Sequence, residues 1–112
     1  MNLYEGMEQA ADVFRTLSDP TRRAVFERLS DAGELTVGDL VAGAGVSQPA
    51  VSQHLAVLRA SGLVSERREG RFVRYAARPE GLKPLVDWMG FYGRFWVEKF
   101  DALEDLLNRM DQ

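Results

Sequence analysis

The chain has 112 residues, 46% apolar and 28% charged, with no cysteine, which predicts one folded domain over 1–112 and excludes disulfides, thiol redox switching and thiolate metal sites. The net charge of −3 is unevenly placed: residues 1–46 hold four Arg against eight acids, 47–78 six Arg against two Glu, and 79–112 four Lys or Arg against seven acids. A central block of +4 on an acidic body fits a modest nucleic-acid surface, although charge alone fits a solvated Arg-rich hairpin equally well. No apolar run approaches the roughly 20 residues of a membrane span. The opening MNLYEGMEQA has no basic region followed by an apolar stretch, so a cytoplasmic protein with no membrane partner is expected.

Helical spacing of Met7, Ala10, Ala11, Phe14 and Leu17 predicts a first helix over 4–17. Ser18-Asp19-Pro20 ends it and starts a second, with Asp19 as cap and Pro20 in the first helical position. That helix is expected to run to about Leu29, with Val25, Phe26 and Leu29 inward, before a break at Asp31-Ala32-Gly33. Thr36 and Asp39 have capping-box spacing at the head of a short third helix whose Val37, Leu40 and Val41 face the core. After the small-residue turn Ala42-Gly43-Ala44-Gly45, Ser47 caps a fourth helix with Pro49 in its first turn. Val46 and Val51 are spaced as a hydrophobic staple, and Val51, Leu55 and Leu58 mark the buried stripe. Gly62 ends that helix. Residues 63–77 then read as a β-hairpin turning at Glu69-Gly70. After a link at Pro79–Pro84, a single helix is expected over 82–110. The fold class is therefore mainly α with a small β-hairpin wing: five helices, with the helix-turn-helix at 36–61 and the wing at 63–77.

A helix that enters the major groove needs one packed face and one slim, polar face without acids. Ser47, Gln48, Ser52 and Gln53 supply hydrogen-bonding groups, Ala50 can meet a thymine methyl, and no acid lies between Ser47 and Ala60. Pro49, His54 and Arg59 complete the candidate DNA-binding set on this helix. On the hairpin, Arg67, Arg68, Arg71 and Arg74, with Arg78 nearby, suit phosphate or minor-groove contacts.

The stretches LSDPTRRAVFERL (17–29), ELTVGDLV (34–41), SQPAVSQHLAVLRASGLV (47–64) and REGRFVRYA (68–76) together resemble the ArsR/SmtB family of bacterial winged-helix repressors over roughly residues 10–77. The resemblance implies a homodimer that binds double-stranded operator DNA and represses, with Ser47 to His54 in the recognition helix and the hairpin as wing. It also invites a metal-sensing role, which the residues do not support. Where one family site needs a Cys-x-Cys pair, this chain has Thr36 and Gly38. Where another needs His and carboxylates on the last helix, that helix has no His. The sole histidine, His54, cannot alone make a site that needs three or four donors. No metal and no cofactor are expected.

The last helix is apolar around too much of its circumference for one core. Met7 and Phe14 on the first helix, with Trp88, Tyr92, Phe95, Trp96, Phe100 and Leu103 on the last, are therefore expected at a dimer interface. A sharper alternative makes Trp88, Phe91, Tyr92, Phe95 and Trp96 the lining of a pocket for a small apolar effector. No Ser-His-Asp order, phosphate loop or Cys nucleophile points to an enzyme. The competing functional reading is a winged-helix protein-interaction module without operator binding.

Overall fold

Asp19 makes the first corner of the structure. The computed structural model describes residues 3–111, and all their side chains except those of Leu3, Tyr4, Glu5 and Trp96. The expected interface role of Trp96 therefore lies outside the described side chains. Helix α1 spans Leu3–Ser18 and α2 spans Pro20–Ala32. Between them Asp19 is extended, and its carboxylate accepts the Arg22 N–H at 2.9 Å. Pro20 follows in the first turn, where a missing N–H costs nothing. Helix α2 runs one turn-fraction beyond Leu29 and stops at Gly33, whose φ of 88° is accessible to glycine at little cost.

Strand β1 (Glu34–Leu35) leads into helix α3 (Val37–Val41), then α4 (Gln48–Ala60). Both halves of the α3 capping box form, with Thr36 and Asp39 each accepting the other's backbone N–H. The far end of α3 is held from outside: the Arg28 guanidinium on α2 donates to the carbonyls of Asp39 (2.7 Å) and Leu40 (3.0 Å). A cation on those otherwise unpaired carbonyls satisfies them and opposes the negative end of the helix dipole.

Strands β2 (Val64–Glu69) and β3 (Phe72–Ala77) form the expected hairpin. The sheet has a third member, because β1 pairs antiparallel with β3 through Glu34–Ala76 and Leu35–Tyr75, in the order β1-β3-β2. Two residues are too few to show alternation, so this strand was not legible as periodicity. The core lies where α2, α3, α4 and the base of the wing meet: Val25, Phe26, Leu29, Leu40, Val51, Leu55, Leu58, Leu63 and Val64 are all buried. Each such side chain contributes about 1.5–3 kcal/mol on leaving water.

The C-terminal segment differs from the expected single helix over 82–110. A 3-10 turn at Pro79–Leu82 is followed by α5 (Lys83–Gly90) and α6 (Gly93–Met110), making six α-helices among the described residues rather than five. The apolar pattern continues through the break, which hid it. Gly90 and Gly93 flank the break, and Phe91 and Tyr92 form tightened bonds back to Trp88 and Met89, three residues earlier. Helix α5 packs on α1, with Phe14 edge-on to Trp88 at 5.3 Å between ring centroids. The hydroxyls of Thr16 and Ser61 share a 2.6 Å hydrogen bond that ties α1 to the end of α4.

The 3-10 turn is seated against the end of α4 at one glycine. A Cβ on Gly81 would fall onto the backbone carbonyl of Gly62 and 3.0 Å from a methyl of Leu63. Gly81→Ala should therefore cost about 1–3 kcal/mol, as overpacking against rigid backbone does. Gly90→Ala, with open space around its Cβ, should leave the melting temperature unchanged or raise it. Thermal unfolding of the two variants checks this contrast.

Candidate nucleic-acid interface

Helix α4 is divided into two faces by burial. Val51, Leu55 and Leu58 are 0–1% exposed and anchor it to the core. Ser47, Gln48, Pro49, Ser52 and Gln53 are exposed, and Ala50 is half-buried beside them. Ser47 caps the helix, its Oγ accepting the Ala50 N–H at 3.3 Å, which leaves its O–H free to donate outward. The exposed face is thus polar, narrow and rigidly mounted.

His54 stands apart from its neighbours. It is half-buried, and its Nδ1 is enclosed without a hydrogen-bond partner among the described residues. The ring acts electrostatically on Asp19 at the head of α2. The Arg22 N–H bonded to Asp19, with smaller contributions from His54 and the Arg22 charge, holds that carboxyl below its usual value of 3.8. Asp39 is lowered likewise, chiefly by the Thr36 backbone N–H.

The wing turns through Gly70 and Arg71. Gly70 has φ 61° while Arg71 does not take a positive φ, the sign pattern of a type II′ turn. This places Arg71 at the tip, and Arg68 is exposed two residues before the turn. Neither makes an ion pair or side-chain hydrogen bond among the described residues. The other cations are engaged. Arg59 at the end of α4 reaches Glu66 on β2 at 2.7 Å. Arg67 binds Glu34 through Nε (3.1 Å) and Nη2 (3.3 Å), and also Glu69 (3.0 Å). Arg74 donates to the same Glu69 oxygen at 2.9 Å, and Arg78 to Glu80 at 3.1 Å. The Arg74 and Arg67 bonds hold the Glu69 carboxyl below its usual 4.5. Burial raises the Tyr75 phenol, with the Glu66 charge adding to it.

The structure therefore separates the four Arg residues expected to act together. Glu34, Glu66 and Glu69 were not among the expected site residues. Glu69 had a signal, since it lies two positions from Arg67 on one face of a strand. Glu34 had none, being 33 residues from its partner.

The expected interface residues lie on α1, α5 and α6, with Tyr92 in the break between the last two. Met7, Phe14, Trp88, Tyr92, Phe95, Phe100 and Leu103 are all exposed in the single chain. Trp88, Met89, Tyr92 and Phe95 also border an open concavity of about 440 Å³, which Phe91 does not line. At the position of the family's Cys-x-Cys site, Thr36 is occupied as the cap of α3. No helix among the described residues is long and apolar enough to cross a membrane.

Residues 19–66 match the profile described as bacterial regulatory protein, arsR family. The chain is 35% identical over 78 residues to the transcriptional repressor SdpR of Bacillus subtilis (strain 168), spanning 70% of this chain and 86% of that protein. The chain belongs to the ArsR family. It is also 38% identical over 108 residues to the HTH-type transcriptional regulator Rv2034 of Mycobacterium tuberculosis (strain ATCC 25618 / H37Rv), covering 96% of this chain and 94% of the relative. Among solved structures, an ArsR-like transcriptional regulator from Rhodococcus sp. RHA1 superposes with a TM-score of 0.70 at 30% identity, covering 89% of this chain and 93% of that one. Membership in the ArsR family makes the protein a DNA-binding transcription regulator of the winged helix-turn-helix class and not an enzyme.

The depressed Asp19 carboxyl links the start of α2 to stability against pH. A carboxyl lowered on folding stabilises fully above its unfolded value, near 3.8, and loses that contribution as pH falls through the lower folded value. Asp19→Asn keeps a capping oxygen but cannot titrate. The variant should be less stable than the parent at pH 7, with the difference shrinking as pH falls below about 3.8. Urea unfolding of both proteins between pH 2 and 7 checks the sign.

Proposed function

We propose that this ArsR-family chain is a repressor that binds an inverted-repeat operator as a homodimer without sensing a metal. The observation that supports operator binding best is the exposed, acid-free face of α4 beside two uncompensated cations, Arg68 and Arg71, at the wing tip. In this reading Gln48, Ser52 and Gln53 contact base edges, with Ala50 against a thymine methyl. Ser47 at the positive end of α4 and the wing cations contact phosphates. Two-fold symmetry places the second recognition helix in a major groove one helical turn or more away.

The dimer reading rests on shape and exposure. The radius of gyration is 18.4 Å, whereas a compact chain of this length has about 13 Å. The excess comes from α6, which projects with Phe95, Phe100, Leu103, Leu106 and Leu107 all at least half exposed. A second copy covers that face, with α1 and α5 completing the interface, so that 1–112 acts as one DNA-binding and dimerising domain. Thr36 and Gly38 at the family's thiolate positions, and a final helix without histidine, support the reading without metal.

Fluorescence anisotropy over a salt series, using fragments selected from the host genome, tests the DNA reading. Log affinity should fall linearly with log salt, by about 0.9 for each phosphate neutralised. Absence of binding to any fragment at low salt would favour the protein-interaction module instead. Gln53→Ala should relax sequence preference at one position per half-site, losing about 1–3 kcal/mol of discrimination there. Phe100→Asp should give a folded monomer by sedimentation and circular dichroism, with operator affinity greatly reduced. A dimeric Phe100→Asp protein would place the interface elsewhere.

A further inference from the structure

The wing's six-residue strands bring Arg67 of β2 directly opposite Arg74 of β3, on one face of the sheet. Like charges directly opposite one another across a strand pair are unfavourable. Two acids relieve the conflict. Glu69 lies diagonally across from Arg74 and accepts from both guanidinium groups with the same oxygen. Glu34 reaches in from β1 and takes Arg67 through two nitrogens. The four side chains form one connected cluster with two positive and two negative charges. Arg74 is the least exposed of them, with 34% of its side chain accessible.

We infer that Arg67 and Arg74 are positioning residues that stiffen the wing within a self-neutralising cluster, and that Arg68 and Arg71 supply the wing's phosphate grip. The inference rests on the DNA reading above and divides the labour within it. Counterion release counts the cations brought to phosphate without an anion of their own. Moving Arg67 onto a phosphate would leave Glu34 and half of Glu69's partnership facing a polyanion. The cluster as a whole offers DNA no net charge. Arg68 and Arg71 have no such partners. Arg59 and Glu66 complete the frame from the other side, joining the end of the recognition helix to β2, so the wing is held at a set angle to α4.

The partition is tested with charge-conserving double variants, which keep the long-range field of the protein the same. Arg67→Gln with Glu34→Gln removes one cation and one anion, as does Arg74→Gln with Glu69→Gln. Both doubles should keep the parent's slope of log affinity against log salt, while thermal melting shows a looser wing. Arg71→Gln should reduce that slope by about 1.8 per dimer, one phosphate per protomer. Between 50 and 200 mM salt the Arg71→Gln protein should then lose roughly tenfold less affinity than the parent. If either folded double lowers the slope as far as Arg71→Gln does, the cluster's cations contact phosphate and the inference is overturned. A parent protein with no salt-dependent DNA binding would overturn the DNA reading itself, a result separable from the first because it is read on the unsubstituted chain.

Discussion

The structure depends on how α4 is mounted. Its three inward residues, Val51, Leu55 and Leu58, are almost wholly removed from water and meet Leu29, Phe26 and Leu40 from two other helices. That packing fixes the rotation of the helix about its own axis. Once the rotation is fixed, helical geometry turns Gln53 directly away from the buried stripe and sets Ser52 at its flank, while Gln48 is exposed in the first turn, where the helix begins. The polar contacts around the core serve the same end. The Arg28 guanidinium holds the end of α3, Asp19 opens α2 near His54, and the Thr16–Ser61 hydrogen bond fastens the far end of α4 to α1. Reading a base edge requires side chains held to within a fraction of an ångström, so in the proposed DNA reading apolar packing is the source of polar specificity.

The wing follows a different rule. Few of its residues are buried, and its shape comes from backbone pairing with β1 and from ion pairs along its faces. Individually, exposed ion pairs contribute little. Here they share partners, and the shared partners join three strands. An arginine on a wing is therefore not equivalent to its neighbour two positions away. The alternation of a strand sends Arg67 toward Glu34 and Glu69, and Arg68 to the opposite face. Net charge by segment counts these residues alike and so overstates the charge that the wing offers to a ligand.

What could be read from the sequence followed from local chemistry. The caps at Asp19, Thr36 and Ser47, the buried stripe of α4 and the turn at Gly70 each depend on residues within a few positions of one another, and all were found where expected. What could not be read depended on distance along the chain. Strand β1 exists because β3 passes beside it, some 40 residues later. The Arg67–Glu34 pair follows from that same passage. The break between α5 and α6 escaped for the converse reason: apolar periodicity crosses it without interruption, and only Gly90 and Gly93 mark the place. His54 belongs to the candidate DNA-binding set by residue type, whereas the tertiary contact that encloses its Nδ1 is not a local property.

The break has a physical consequence for any two-fold assembly. A continuous helix over 82–110 would have aligned its whole apolar face in one direction. Divided at Phe91–Tyr92, the segment can use its halves differently. The α5 half is bound to its own chain, through Trp88 against Phe14 and through the 3-10 turn seated on Gly62. The α6 half leaves Val97, Phe100, Leu103, Leu106, Leu107 and Met110 at least half exposed in the single chain. A long amphipathic helix is marginal alone in water, since most helical stability comes from packing an apolar face. For α6 that packing is not supplied among the described residues. In the proposed dimer, then, α5 transmits the position of the interface to the end of α4, and the spacing of the two recognition helices is set by the angle at a two-residue turn between glycines.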